Sequence, residues 1–184
     1  MILIGCSEVG QAKYLSDVIK SLDYKCTFIA SNICFGYFQD TNVIGFKEKD
    51  YDRINFKEIK LVICGSPFCN KKNTIERRLI KKARSSKIVS ISIIEHWSWY
   101  KKRFQINGKN ALFPDYVILN DNVAYNEALA EGLPRKCLKP LGNIYLENLS
   151  KAHPTKLNQS KIKFKYKLPK NKNIIFFVSE KIKN

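Results

Sequence analysis

Ten consecutive residues concentrate the side chains that chemistry needs: Glu95-His96-Trp97-Ser98-Trp99-Tyr100-Lys101-Lys102-Arg103-Phe104. Glu95 is the acid to watch. At the mouth of a cleft its pKa could be raised for general acid or base work beside His96, or its charge could simply pair with Arg103. If the segment is helical from Glu95 on, His96, Trp99, Tyr100 and Arg103 share one stripe, and Trp97, Tyr100 and Phe104 the adjoining one. One stripe would pack on the core while the other presents an imidazole, an indole and a guanidinium. Rings stack on apolar sugar faces and Arg binds phosphate bidentately, so the set suits a sugar ring and its phosphate. An aromatic packing cluster with Arg103 on Asp115 is the competing account.

Three other short segments carry polar groups after apolar runs. In Cys6-Ser7-Glu8-Val9-Gly10, small residues let backbone N–H groups approach an anion, which marks Ser7, Glu8 and Gly10 as candidate binding residues. The G-x-G-x-x-G spacing is missing, which argues against a dinucleotide site. Gly65-Ser66-Pro67-Phe68 is a rigid turn that would aim the Ser66 hydroxyl off a sheet. Asn120-Asp121-Asn122 is explained by helix capping alone.

These segments need elements to position them, and the apolar pattern supplies a set. Apolar runs at 1–5, 24–30, 42–46, 61–65, 87–94, 115–120 and 137–140 read as strands. Helical periodicity covers Gln11–Leu22, a stretch through Ala83 capped by Asn73 or Thr74, Val123–Glu131 capped by Asp121 or Asn122, and Ile144–Leu149. Cys34–Asp40 is ambiguous. Strands alternating with helices in this rhythm predict an α/β, Rossmann-like parallel sheet with helices on both faces, followed by a basic C-terminal extension. In such sheets ligands bind beyond the carboxyl ends of the strands, where all four polar segments lie.

Length and composition fit one real core. The chain has 184 residues, 45% of them hydrophobic and 27% charged, so the signature of disorder is absent. No apolar run approaches the ~20 residues of a membrane helix, and a cytoplasmic protein is expected. None of Cys6, Cys26, Cys34, Cys64, Cys69 and Cys137 forms a Cys-x-x-Cys pair, and His96 and His153 follow at no zinc spacing. Reduced thiols, no metal and no cofactor are the expectation. The net charge of +17 resembles a nucleic-acid footprint, yet ten lysines and one acid put +9 of it between Lys151 and Asn184. That distribution argues against nucleic acid as the partner and leaves peripheral contact with the inner face of a membrane open. Lys161, Lys163, Lys165 and Lys167 alternate with Ile162, Phe164, Tyr166 and Leu168, a period of two that suits an edge strand or an extended linker. Asn173–Ser179 then reads as a buried-type strand with almost nothing after it.

Histidine, tryptophan, an aromatic and Arg-Phe in this order, then Pro-Asp before a strand and Gly-Asn before a helix, form a familiar arrangement. His96, Trp97, Tyr100, Arg103, Phe104, Pro114, Asp115, Gly142 and Asn143 carry it here. It resembles the N-terminal halves of GT-B-type glycosyltransferases and related proteins of bacterial surface-polysaccharide synthesis. Glu95 stands where that pattern has Asp, which keeps the charge but changes its reach. Phe177-Val178-Ser179-Glu180 resembles the first strand of the C-terminal half of those proteins. The resemblance implies a Rossmann-like domain over residues 1–150, a basic linker or edge strand over 151–172, and at 173–184 the start of a second domain that the chain lacks. It also implies an acceptor-binding half, taking a sugar or lipid-linked glycan, with the sugar nucleotide held mainly by the other domain. Catalysis would then need a separate C-terminal-domain subunit, unless the chain is a fragment. A stand-alone nucleotide-sugar enzyme of epimerase type and an anion-binding protein using the lysine tail are the rival readings.

Overall fold

The computed structural model describes residues 1–41, 43–66, 73–106, 110–151, 156–169 and 172. Among them the seven apolar runs become strands β1 (Ile2–Cys6), β2 (Cys26–Ala30), β3 (Gly45–Lys47), β4 (Leu61–Cys64), β5 (Val89–Ile93), β8 (Tyr116–Leu119) and β9 (Leu138–Pro140), and two short strands outside those runs, β6 (Gln105–Ile106) and β7 (Asn110–Ala111), form as well. The helices are α1 (Val9–Ser21), α2 (Asn32–Phe35), α3 (Ile75–Ser85), α4 (Tyr100–Phe104), α5 (Asn122–Ala130), α6 (Ile144–Lys151) and α7 (Lys156–Lys165). Seven strands form one sheet in the order β3-β2-β1-β4-β5-β8-β9, and every neighbouring pair is parallel. The expected α/β, Rossmann-like fold is therefore present. Strands β6 and β7 pair antiparallel to each other outside that sheet, with Gln105 opposite Ala111.

Side-chain alternation splits the core between the two faces of the sheet. Leu3, Ile29, Val62 and Cys64 join Ile75, Leu79, Tyr100, Phe104, Ala124 and Ala128 of α3, α4 and α5 in one cluster. Ile4, Phe28 and Ile63 join Ala12, Leu15, Ile19, Cys34 and Phe38 of α1 and its neighbours in the other. Gly5 is what lets α3 come close, since a Cβ there would run into the Leu79 side chain. Between β1 and β4 the strand order reverses, and in open sheets of this kind ligands bind beyond the carboxyl edge near such a reversal.

The helix ends follow the signals in the sequence. Thr74 caps α3 by accepting from the Arg77 N–H at 3.4 Å, and Asp121 caps α5 by accepting from Ala124 N–H at 2.8 Å. Gly132, at φ +86°, takes the left-handed position that stops α5. The ambiguous stretch after β2 is α2 followed by a 3-10 segment, Gly36–Thr41.

The chain divides into two compact units, Met1–Glu147 and Asn148–Asn184. In the second, the alternating lysine segment is not an edge strand: residues up to Lys165 belong to α7. Lys, Leu and Gln favour a helix, and among the described residues of that unit no strand offers an edge to pair with, so backbone bonds close locally. Lys167 at φ 52° ends the helix, and Leu168 N–H reaches back to the Lys163 carbonyl at 2.8 Å. The buried-type run at 173–179 lies outside the described residues. Among the described residues no helix is long and apolar enough to cross a membrane.

Candidate functional site

Glu95 stands two residues past the end of β5, at the carboxyl edge, beside the first turn of α1. A Cβ built on Gly10 would stand 3.8 Å from its Oε1. The Glu95 side chain is only 11% exposed, and its Oε2 is buried with no hydrogen-bond partner. Such an atom in a folded protein asks for an explanation, because an unpaired buried acceptor costs about 1–3 kcal/mol. Burial raises the Glu95 carboxyl above its ordinary range, while its own backbone amide, Arg103 and His96 draw it back. His96 turns outward, its Nε2 at 3.8 Å from Glu95 Oε1. Two asparagines fix the segment from behind. Asn120 Nδ2 donates to the Glu95 carbonyl at 3.1 Å, and Asn143 Nδ2 donates to Asn120 Oδ1 at 3.0 Å.

The expected helical stripe does not form. The carbonyl of Glu95, which a helix would offer to Trp99 N–H, is taken by Asn120, and α4 begins only at Tyr100. Arg103 does not reach Asp115 and is not available to a phosphate. It is buried, with Nη1 donating to the Ser66 carbonyl at 2.6 Å and Nε to the Ser98 carbonyl at 3.3 Å. Asp115 instead accepts from both N–H and Oγ of Ser90, at 2.8 Å each. The Ser66 hydroxyl does not point off the sheet. It is buried and donates to the Ile93 carbonyl of β5 at 2.9 Å. Tyr100 is also buried, its hydroxyl donating to Glu127 Oε2 at 2.8 Å.

The two tryptophans have the opposite fate. Trp97 is 45% exposed and Trp99 53% exposed. Trp97 Nε1 donates to Asp121 Oδ2 at 2.8 Å. Trp99 sits in the left-handed region at φ 54° and ψ 42°, which costs an L-residue about 1–2 kcal/mol. Trp97, Ser98, Trp99, Tyr100, Glu127 and Glu131 line a shallow groove of about 410 Å³ along α5.

A second concavity, of about 300 Å³, lies beyond β1 and β2 and includes Ser7, Glu8, Ser31, Asn32, Glu48 and Thr74. Its wall rests on a residue that the sequence reading passed over, Glu76. This buried carboxylate accepts from Ser7 N–H at 2.6 Å and from Ser7 Oγ at 2.9 Å. Burial pushes its pKa up to about 7 against the hydrogen bonds that pull it down. A signal was there: Glu76 stands on the same helical stripe as Leu79, Ile80 and Ala83, an acid among core residues. Ser7 is thus turned toward Glu76, whereas Gly10 and Glu8 stay near Glu95; Gln11 Nε2 donates to Glu8 Oε2 at 3.2 Å. Among the described residues no group of three or more His, Cys, Asp or Glu is placed to hold a metal ion, and Cys6, Cys26, Cys34, Cys64 and Cys137 are free thiols.

No protein-family model matches the chain, and no curated protein matches it in sequence. Its fold is similar to that of a UDP-GlcNAc 2-epimerase from Neisseria meningitidis bound to UDP-GlcNAc, with a TM-score of 0.57 and 12% identity over 90% of this chain and 54% of that one. It is also similar to HepE from Anabaena in complex with UDP, with a TM-score of 0.58 and 9% identity over 91% of this chain and 50% of that one. The chain spans about half the length of each. At these identities the likeness is one of fold: a Rossmann-like α/β domain shared with two proteins solved with UDP-containing ligands.

Proposed function

We propose that this chain is the acceptor-binding half of a glycosyltransferase-like protein in polysaccharide or glycoconjugate assembly. A second half, in a partner chain or in a longer protein, would hold the sugar nucleotide. The observation that carries the reading is the buried, unpartnered Oε2 of Glu95 beyond the carboxyl end of β5, beside the first turn of α1. A carboxylate there takes the proton of a sugar or lipid-linked glycan hydroxyl. That hydroxyl oxygen bonds to the anomeric carbon of the donor sugar, the bond from that carbon to the diphosphate breaks, and the electron pair leaves on the diphosphate. The raised pKa of Glu95 makes it a stronger base, and exposed His96 gives the proton a way out to water. The first turn of α1 lies beside the carboxylate at Gly10. The fold likeness to two proteins bound to UDP or UDP-GlcNAc supports the sugar side of this reading, and the half-length coverage supports the need for a second half.

A nucleotide-sugar enzyme of epimerase type is the second reading, favoured by one of those two likenesses. The chain has only two histidines, His96 and His153, so the His96 ring signals in an NMR spectrum report on the surroundings of Glu95. Titration with methyl β-glucoside, methyl β-galactoside and methyl β-N-acetylglucosaminide is expected to shift them, while UDP leaves them in place and the isolated chain does not turn over UDP-GlcNAc. Shifts on UDP addition without any response to glycosides would make this the donor half. Release of UDP or of an epimer by the chain alone would establish the epimerase-type reading instead.

A further inference from the structure

The chain's two tryptophans stand on the same groove, and neither is explained by the chemistry at Glu95. Trp99 keeps a left-handed backbone where glycine would be unstrained, and the side chain so presented is half in water. The groove lining pairs these indoles with carboxylates rather than cations. Glu127 Oε2 accepts from Tyr100 and Glu131 Oε2 accepts from the Lys101 N–H at 2.9 Å, which holds both carboxylates along the groove that they line. Arg103, the one guanidinium in the segment, is locked on the Ser66 and Ser98 carbonyls, and Lys102 is held near the rim with its Nζ 5.7 Å from the Trp99 ring.

We propose that this groove is a subsite for an uncharged pyranose unit of a glycan, its apolar ring face on the indoles and its hydroxyls donating to Glu127 and Glu131. Carboxylates accept hydroxyl protons and repel phosphate, so the chemistry selects a neutral ring and not a sugar phosphate. A volume of about 410 Å³ lies within the roughly 300–1,000 Å³ of small-molecule sites, and a shallow groove suits one ring of a chain that runs on in both directions. The proposal rests on the glycan-handling reading above for the identity of the ligand, and on a separate set of atoms for the place.

The test uses the full chain and its intrinsic tryptophan emission, which reports on this groove alone. Methyl β-glucoside, methyl β-galactoside and methyl β-N-acetylglucosaminide are titrated, with choline and inorganic phosphate beside them. At least one glycoside should give a saturable change, and choline and phosphate none. Trp97→Ala and Trp99→Gly should each weaken binding tenfold or more, with Trp99→Gly melting at or above the parent temperature because its backbone strain is relieved. Glu95→Gln should leave the tryptophan response unchanged. A response to choline without one to glycosides, full affinity in Trp99→Gly, or a lower melting temperature in Trp99→Gly would overturn the subsite. Glycosides that shift the His96 ring signals while tryptophan emission stays fixed would overturn it and leave the Glu95 reading standing; glycosides that move neither would overturn both.

Discussion

Glu76 ties the strand-end turn of β1 to the first turn of α3, and it does so as a carboxyl whose protonation is set by burial. Its pKa in the fold is about 7, against an ordinary 4.5. The folded chain therefore holds the proton over a range in which the unfolded chain has lost it. Stability from this group is fully present below pH 4.5 and declines as pH rises through 7. A shift of that size corresponds to roughly 3 kcal/mol. Glu76→Gln should flatten the decline between pH 5 and 7 relative to the parent, as read by urea denaturation at a series of pH values. A slope unchanged by the substitution would show that other groups set it. At this scale the sequence was half legible. Glu95 stood out because it follows an apolar run and precedes His96, and its place at the strand end needs no more than that. Glu76 hid behind a helix cap, where an acid is ordinary. The fate of Arg103 was not readable at all, because the two carbonyls that claim it lie 37 and 5 residues away and only the folded turn brings them to it.

The seven strands of the main sheet were legible as apolar runs and the long helices by their periodicity and caps, whereas the short β6 and β7 carry no such run. The failures came where a single long-range bond overrides periodicity. Asn120 takes the Glu95 carbonyl and the helix start slips to Tyr100; in the tail, an alternation over eight residues loses to helix propensity, with no strand among the described residues of that unit to pair with it. β1 and α3 approach each other closely across Gly5. Gly5→Ala pushes a methyl group into Leu79, with Ile75 and Ile29 also within 3.3 Å, so α3 must shift. Overpacking of this kind costs about 1–3 kcal/mol, and thermal unfolding should show it as a clear drop in midpoint. An unchanged midpoint would mean that α3 rides on the sheet more loosely than its buried stripe implies.

The sheet and its two cores lie within Met1–Glu147, yet the first unit draws on the start of α6. Ile144 and Tyr145 pack against the α1 face, Asn143 holds Asn120, and Tyr14 donates to the Gly142 carbonyl at 3.4 Å. A chain ending after Lys151 should melt cooperatively at the parent temperature, whereas one ending after Gly142 should lose about 2 kcal/mol or more from lost burial and the freed Asn120. Equal melting of the two, followed by circular dichroism, would remove α6 from the fold. The architecture was readable at this scale from the alternation of strands and helices, while the boundary at 147 was not, since α6 carries one amphipathic pattern across it.

The two margins of the sheet are short and guarded. β3 and β9 have three residues each, one carrying Lys47 and the other Lys139 followed by Pro140, which has no N–H to give. A foreign strand laid along either margin would find few donors and a charge in its path. The fold is thus closed to growth by strand addition, which keeps a long apolar sheet from polymerising. A second half of the kind proposed above would meet this chain through the loops at the carboxyl ends of the strands, beside Glu95.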